Sequence, residues 1–217
     1  NKATNLEEFQ SALKMCALPR FSVSYADRRD NIFYLSGGRI PIRTGDYDWK
    51  GVLPGNTSKT ITKGYHPMED MPQILNPSHG YLFNTNNTPF NAAHPEDNVL
   101  ESDYDPTLGF SEGENNRSAR FMELIAQYPT LNYEEFLRIK YDQQYPDSLL
   151  CPFQLNEVFD INPNEFPHIK DLLEIIQRWD RKANIENTST AQWSILFRKL
   201  VERTKADGLY HATSLPQ

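Results

Sequence analysis

The feature that most constrains this chain is a single change in the spacing of its apolar residues near residue 115. Before this point, after one opening helical segment, apolar residues alternate with polar ones or stand isolated among Gly and Pro. After it, they recur every three or four residues, which is typical of amphipathic helices. We therefore predict a strand-and-loop part at residues 1–115 and a helical part at residues 116–217. Strands that precede a separate block of helices favour the α+β class.

The strand-and-loop part begins with a predicted helix and a predicted hairpin. Thr4 and Glu7 have the spacing of a capping box and precede an apolar stripe. The runs FSVSY and IFYL flank the polar segment DRRDN, which predicts two antiparallel strands. Residues 37–73 are rich in Gly, Pro and aromatic residues and predict an ordered loop on a sheet. Aromatic alternation predicts a further short strand in GYLFNTNN, residues 80–87, ending in an Asn-rich turn.

The helical part contains apolar stripes at helical spacing, which predict helices that bury one face in a core. These stripes lie around Phe121, Ile169 and Trp193. A shorter helix is predicted at residues 132–140, and the segments DINPNEFP and ANIENTST provide breaks and caps.

Composition excludes several functional classes. The formal net charge is −7 and the pI is about 5.3, without a run of Lys or Arg, so no nucleic-acid or anionic lipid partner is expected. No apolar run approaches the roughly 20 residues that a bilayer-spanning helix needs. The two cysteines and five histidines never fall at metal-ligand spacing, which favours packing or surface roles for them.

Motifs of the common nucleotide-binding and hydrolytic sites are absent from the sequence. It contains no G-x-G-x-x-G, no Walker A segment, no H-E-x-x-H and no G-x-S-x-G. The informative segments lie instead in the first part and follow one another closely: SYADRRDNIFYLSGGRIPIR, DWKG and MPQILNPSHGYLFNTNN.

In this order and spacing, these segments resemble the large chain of the penicillin amidase family, which includes penicillin acylases and acyl-homoserine lactone acylases. The helical part resembles the family more loosely, through AQYPTLNYEEF and IIQRWD. The resemblance implies strands and long loops of the αββα core of an N-terminal-nucleophile hydrolase, followed by a helical subdomain. One departure is Asp30, where the family usually has Gly in the hairpin turn; Asp tolerates such positions through local hydrogen bonds.

The resemblance also implies a mechanism. In this family an N-terminal Ser, Cys or Thr attacks an amide carbonyl, and its own α-amino group is the general base, with a pKa of about 7.7 to 8.0 in peptides. No cofactor is required for this chemistry. The oxyanion that forms needs hydrogen-bond donors. The resemblance assigns one donor to the side-chain amide of Asn86 and places Asn87 beside it at the substrate.

Two further residues are assigned by the resemblance. Arg117 matches an Arg that organises the substrate site, and Arg120 is the alternative because the preceding acidic loop does not align without gaps. Asp97 matches a ligand of a structural calcium ion. Calcium prefers roughly six to eight oxygen ligands, and most of them would come from other parts of the full-length protein.

The nucleophile itself is expected outside this chain, because Asn1 cannot be the attacking group. We therefore expect the isolated chain to be inactive and to work with the rest of its precursor, the small chain and the N-terminal part of the large chain, on a small-molecule N-acyl substrate. The resemblance implies a periplasmic or secreted protein. The rival interpretation is a non-catalytic ligand-binding or structural module of the same architecture, and the full open reading frame would discriminate between the two.

Overall fold

A computed structural model describes residues 2–43, 47–110, 113–151 and 155–206. It divides into two compact units, Asn1–Glu112 and Gly113–Gln217. The first unit contains a small antiparallel sheet and the second is built from helices, so the α+β class is confirmed.

The first unit contains helix α1 (Leu6–Leu13) and strands β1 (Phe21–Ala26), β2 (Ile32–Gly37) and β3 (Gln73–Leu75). The strands form a sheet in the order β1-β2-β3, and both strand pairs are antiparallel. The predicted helix and hairpin are therefore confirmed. The helix cap lies one residue later than predicted, because the side chain of Asn5 accepts the N–H of Glu8 at 2.9 Å.

Strand β2 is central to the core because both of its faces are buried. On one face, Phe33 and Leu35 pack with Ile40, Met71 and other residues of the loop after β2. On the other face, Tyr34 packs against a separate apolar cluster formed by Ile74, Ala92 and Ala93. The loops on the two sides of the sheet are therefore part of the core.

The segment GGRIPIR begins the long ordered loop that was predicted to lie on the sheet. Gly38 has φ 143°, and a Cβ at this position would lie 2.3 Å from the carbonyl oxygen of Pro19, so only glycine fits. Pro41 forms an isolated antiparallel bridge with Tyr65. Arg43 donates to the carbonyl of Thr107 at 2.7 Å and ties the loop to a later segment.

The second unit contains helices α2 (Asn116–Ile125), α3 (Tyr133–Lys140), α4 (Lys170–Gln177) and α5 (Thr188–Ala206), as the apolar stripes predicted. Its core includes Trp179 and Trp193, whose stacked rings have centroids 4.9 Å apart. Short 3₁₀ turns occur in both units, at Ser58–Thr60, Met68–Asp70, Pro95–Asp97, Glu101–Asp103, Pro106–Leu108, Leu155–Phe159 and Pro163–Glu165. Among the described residues, no helix combines the length and apolarity needed to cross a membrane.

The strand predicted within residues 80–87 is wrong. Residues 81–84 join no strand in the described part of the chain, although the N–H of Phe83 donates to the carbonyl of Ala92 at 2.9 Å. The alternation reflects the burial of Phe83 in the core rather than strand pairing. Side chains of the Asn-rich turn accept backbone N–H groups within the turn itself, which ends any ladder there.

The turn between β1 and β2 is organised by the carboxylate of Asp27. It accepts hydrogen bonds from the backbone N–H groups of Arg29 and Asn31, from the side-chain amide of Asn31 and from the hydroxyl of Tyr25. These hydrogen bonds favour the ionised carboxylate and lower the pKa of Asp27 to about 2. The bond from the Asn31 side chain contributes most to this shift. Asp30 has φ 63° within this turn, the left-handed conformation that suits Gly or Asp.

We predict that Asp27→Asn destabilises the protein at neutral pH and that this difference narrows in acid. The pKa of an unfolded Asp is about 3.9, so the stability due to the ionised carboxylate is complete above that pH and is lost as pH falls through the folded pKa of about 2. Urea unfolding of both proteins between neutral pH and pH about 2 measures this. A difference that stays constant throughout this range would contradict the prediction.

Candidate functional site

Asn86, the oxyanion donor assigned by resemblance, lies at the exposed part of the Asn-rich turn, residues 84–87. Its backbone has φ 62°, a left-handed conformation that few residues other than Gly adopt easily and that Asn tolerates. The side-chain oxygen of Asn84 accepts the N–H of Asn86 at 2.8 Å. A local side-chain bond of this kind fixes the backbone from which the Asn86 amide projects.

Asn87 is buried and uses its whole side chain to hold the same turn. Its oxygen accepts the N–H and the hydroxyl of Thr85, both at 3.0 Å. Its amide nitrogen donates to the carbonyls of Thr88, at 3.3 Å, and of Asn91. An Asn side chain offers two acceptor positions and two N–H donors, so all four are used. Asn87 therefore holds the turn from inside, and Asn86 is the more exposed of the two residues.

The segment that follows the turn is held by a second, partly buried network. The side-chain oxygen of Asn98 accepts the backbone N–H groups of Ala92 and Ala93 at 2.8 and 3.0 Å. Both alanines are almost completely buried against β2 and β3. The segment that follows the turn is therefore held in place by apolar packing and by side-chain hydrogen bonds.

Asp97, assigned to calcium by resemblance, is surrounded by hydrogen-bond donors from one short segment. One carboxylate oxygen accepts the N–H and the hydroxyl of Ser78 at 2.9 and 2.7 Å. The other accepts the N–H and the Nδ1–H of His79 at 3.0 and 2.8 Å. These hydrogen bonds hold the pKa of Asp97 well below its usual range, and the bond from the Ser78 side chain contributes most.

The same contacts test how well Asp97 fits a calcium ion. A carboxylate presents about four lone-pair positions, and four donors from Ser78 and His79 fill them. In this arrangement Asp97 does not fit a calcium ligand. The structural calcium of the full-length protein stays a prediction.

Arg117 belongs to the second unit and lies in the first turn of α2, where its N–H is capped by the side chain of Asn115 at 3.0 Å. The residue is exposed and lines a cavity of about 400 Å³ whose other walls include Leu149, Trp193 and Phe197. A cationic side chain beside apolar walls suits an organic molecule that carries a polar or anionic group.

Arg120, the alternative to Arg117, is committed to an ion-pair network. Its guanidinium donates to both oxygens of Asp142, at 2.9 and 3.3 Å, and to Glu123 at 3.0 Å. Its hydrogen bonds to Asp142 raise the pKa of the guanidinium. A bidentate pair of this kind fixes α2 against the segment after α3. The network favours a structural role for Arg120, whereas Arg117 is the more exposed of the two and lines the cavity.

The structure also brings together residues that were not recognised from the sequence. The rings of His79 and His94 stack with centroids 3.5 Å apart, and Nε2 of His79 lies 3.7 Å from a carboxylate oxygen of Glu96. Separated by 15 positions, the two histidines match no metal-ligand spacing. In the sequence, the two histidines lie at the two ends of one loop. Whether their side chains meet depends on how that loop folds.

The sequence and the fold were compared with those of known proteins. A family model described as penicillin amidase matches residues 1–216. Penicillin G acylase of Escherichia coli is 28% identical over 197 residues, which cover 88% of this chain and 21% of that protein. The fold is similar to that of a thermostable penicillin G acylase from Alcaligenes faecalis, with a TM-score of 0.58 and 23% identity, covering 83% of this chain and 31% of that one. The chain thus spans about a fifth of the curated relative's length.

We predict that Asn87→Ala destabilises the first unit by at least about 2 kcal/mol, because it leaves buried backbone groups without partners. Asn84→Ala is the matched control: it removes one hydrogen bond at an exposed position and should cost less than about 1 kcal/mol. Chemical denaturation of both variants measures these losses. Equal losses would show that Asn87 does not hold the turn.

Proposed function

The chain belongs to the penicillin amidase family, and from this membership we propose that it forms part of an acylase-type amidohydrolase that cleaves the amide bond of a small N-acyl substrate, such as a penicillin or an acyl-homoserine lactone. In this proposal the first unit belongs to the αββα core of an N-terminal-nucleophile hydrolase. The observation that carries the proposal is the position of Asn86, an exposed side chain on a turn fixed by its two Asn neighbours.

Asn86 acts in this proposal as an oxyanion donor. When a nucleophile attacks an amide carbonyl, negative charge develops on the oxygen, and a donor that is already in place stabilises that charge without reorganisation. The bonds of Asn84 and Asn87 supply such fixed geometry. A neutral amide suits the role because, unlike a carboxylic acid, it holds no proton that could pass to the nucleophile's amino group. The loss of one donor of this kind costs about 3 kcal/mol in the transition state.

The attacking hydroxyl or thiol and its amino-group base are supplied, in this proposal, by parts of the precursor outside this chain. The share of the curated relative that the chain spans supports this division. An α-amino group with a pKa near neutrality can take the proton of the nucleophile directly. Arg117 is assigned to organising the substrate, and a periplasmic or secreted location follows from the same resemblance. The chemistry requires no cofactor.

We predict that Asn86→Gly in the full-length protein lowers kcat by about 10²- to 10³-fold with little change in KM, because the lost bond acts mainly in the transition state. Glycine accepts the positive φ of this position, so the turn should survive. Asn86→Asp should reduce kcat at least as much, because its carboxylate offers no donor and repels the oxyanion. Release of the acyl group from a chromogenic amide measures both parameters.

The matched control is Asn76→Gly. Asn76 is also exposed and also has a positive φ, 47°, and its side chain accepts the N–H of Ile32 at 2.8 Å, so the substitution removes a hydrogen-bonded Asn from another left-handed position. We expect this variant to keep its kcat. If Asn86→Gly also keeps its kcat while folding normally, Asn86 is not the oxyanion donor, and a non-catalytic module becomes the better interpretation.

We also predict that the isolated 217-residue chain releases no acyl group from such amides, since the proposed nucleophile is absent from it. The assay is run beside the full-length protein at equal molar concentration, with circular dichroism to check that the chain has folded. Turnover by the folded chain that disappears in its Asn86→Gly variant would refute the proposed division of the catalytic groups.

A further inference from the structure

We propose that His79, His94 and Glu96 form a binding site for a borderline transition-metal ion such as Zn²⁺. One ligand atom from each of the three side chains lies within 4.8 Å of the other two. Zinc binds imidazole nitrogen at about 2.0–2.1 Å and carboxylate oxygen at about 2.0–2.2 Å. Ligand atoms around a tetrahedral zinc ion are therefore about 3.4 Å apart, so modest side-chain rotations suffice to enclose an ion.

His79 is already oriented as a metal ligand by its neighbour Asp97. Its Nδ1–H donates to the Asp97 carboxylate at 2.8 Å, while Nε2 faces Glu96 at 3.7 Å. A carboxylate that accepts the Nδ1 proton leaves the lone pair on Nε2, and metal-bound histidines commonly have such a partner. Asp97 thus orients His79 as a metal ligand, while its own oxygens remain occupied by hydrogen bonds.

His94 completes the site after a small rearrangement. Its ring is stacked on that of His79 with an interplanar angle of 13°. Each nitrogen lone pair lies in its ring plane, so an ion bound at Nε2 of His79 requires the His94 ring to turn out of this parallel stack. Nδ1 of His94 accepts the N–H of Glu96 at 3.3 Å, a long hydrogen bond. Exchanging the ring tautomer therefore sacrifices only a weak contact.

The ligand set selects the class of ion. Two imidazoles and one carboxylate suit zinc, nickel or copper, whereas calcium requires oxygen ligands. The side chains of His79 and Glu96 are 36% and 78% exposed, so an ion can enter from solvent and keep water in its remaining positions. This site is chemically distinct from a calcium site at Asp97, because Asp97 contributes through His79 rather than through direct coordination.

Such an ion would cross-link the two ends of the loop that carries the Asn-rich turn. His79 precedes this loop and His94 follows it, while Asn86 lies between them. A cross-link between the ends reduces the conformational freedom of the loop. Metal binding itself does not depend on the proposed function, so the binding experiment remains decisive even if Asn86 has no catalytic role.

The test is calorimetric titration of the metal-free full-length protein with Zn²⁺ alone and, separately, with Ca²⁺ alone. The His94→Asn variant keeps a cap acceptor for the following turn but removes the second imidazole. We expect it and Glu96→Gln each to weaken one zinc-binding event by more than about tenfold, and Asp97→Asn to weaken it by about tenfold. A repeat of the zinc titration in the presence of excess Ca²⁺ should leave this event unchanged, and zinc X-ray absorption should show imidazole ligands.

His168→Asn is the matched control, since His168 is an exposed histidine of the second unit and should leave zinc binding unchanged. Glu96→Gln decides the outcome if His94→Asn does not fold, because the Glu96 side chain is the most exposed of the three. The proposal is overturned if the unmodified protein binds no zinc, or if it binds zinc no more tightly than both His94→Asn and Glu96→Gln.

Discussion

The first unit depends on one constraint: most of its backbone lies in loops, and buried N–H and C=O groups need hydrogen-bond partners. A sheet of three short strands cannot supply them all. Side chains of Asn and Asp do so instead, through the Asp27 network in the hairpin turn, the Asn87 network in the Asn-rich turn and the Asn98 bonds along the return segment. These polar side chains thus supply the hydrogen bonds that backbone groups receive from regular secondary structure elsewhere.

The same constraint explains what could be predicted from the sequence. The hairpin and the helices are encoded by local periodicity, and each is present with small differences at its ends. The segment at residues 80–87 has the alternation of a strand, but Phe83 alternates because it is buried and the polar turn satisfies its own backbone. Periodicity reports which side chains are buried, whereas strand pairing also requires a neighbour, which is a long-range property.

The candidate site could likewise be predicted only in part from the sequence. The order of motifs points to Asn86, but only the structure separates its exposed side chain from the buried and fully hydrogen-bonded side chain of Asn87. The sequence favours Arg117 and leaves Arg120 as the alternative, and the structure shows the guanidinium of Arg120 ion-paired with Asp142. The stacking of His79 on His94 depends on the closure of a loop, for which the sequence offers no local signal.

Rigidity in this loop has a chemical consequence. Asn86 has a left-handed backbone, which costs free energy, and the turn remains because neighbouring side chains over-determine it. In the proposed role, a donor on such a turn would lose little entropy as charge develops on the substrate, because its backbone is already restricted. The order of the turn therefore rests on two levels of support, the amide of Asn87 within it and the contacts of Asp97 with Ser78 and His79 at its base. Changes at either level would alter the geometry of Asn86 without removing a single atom of its side chain.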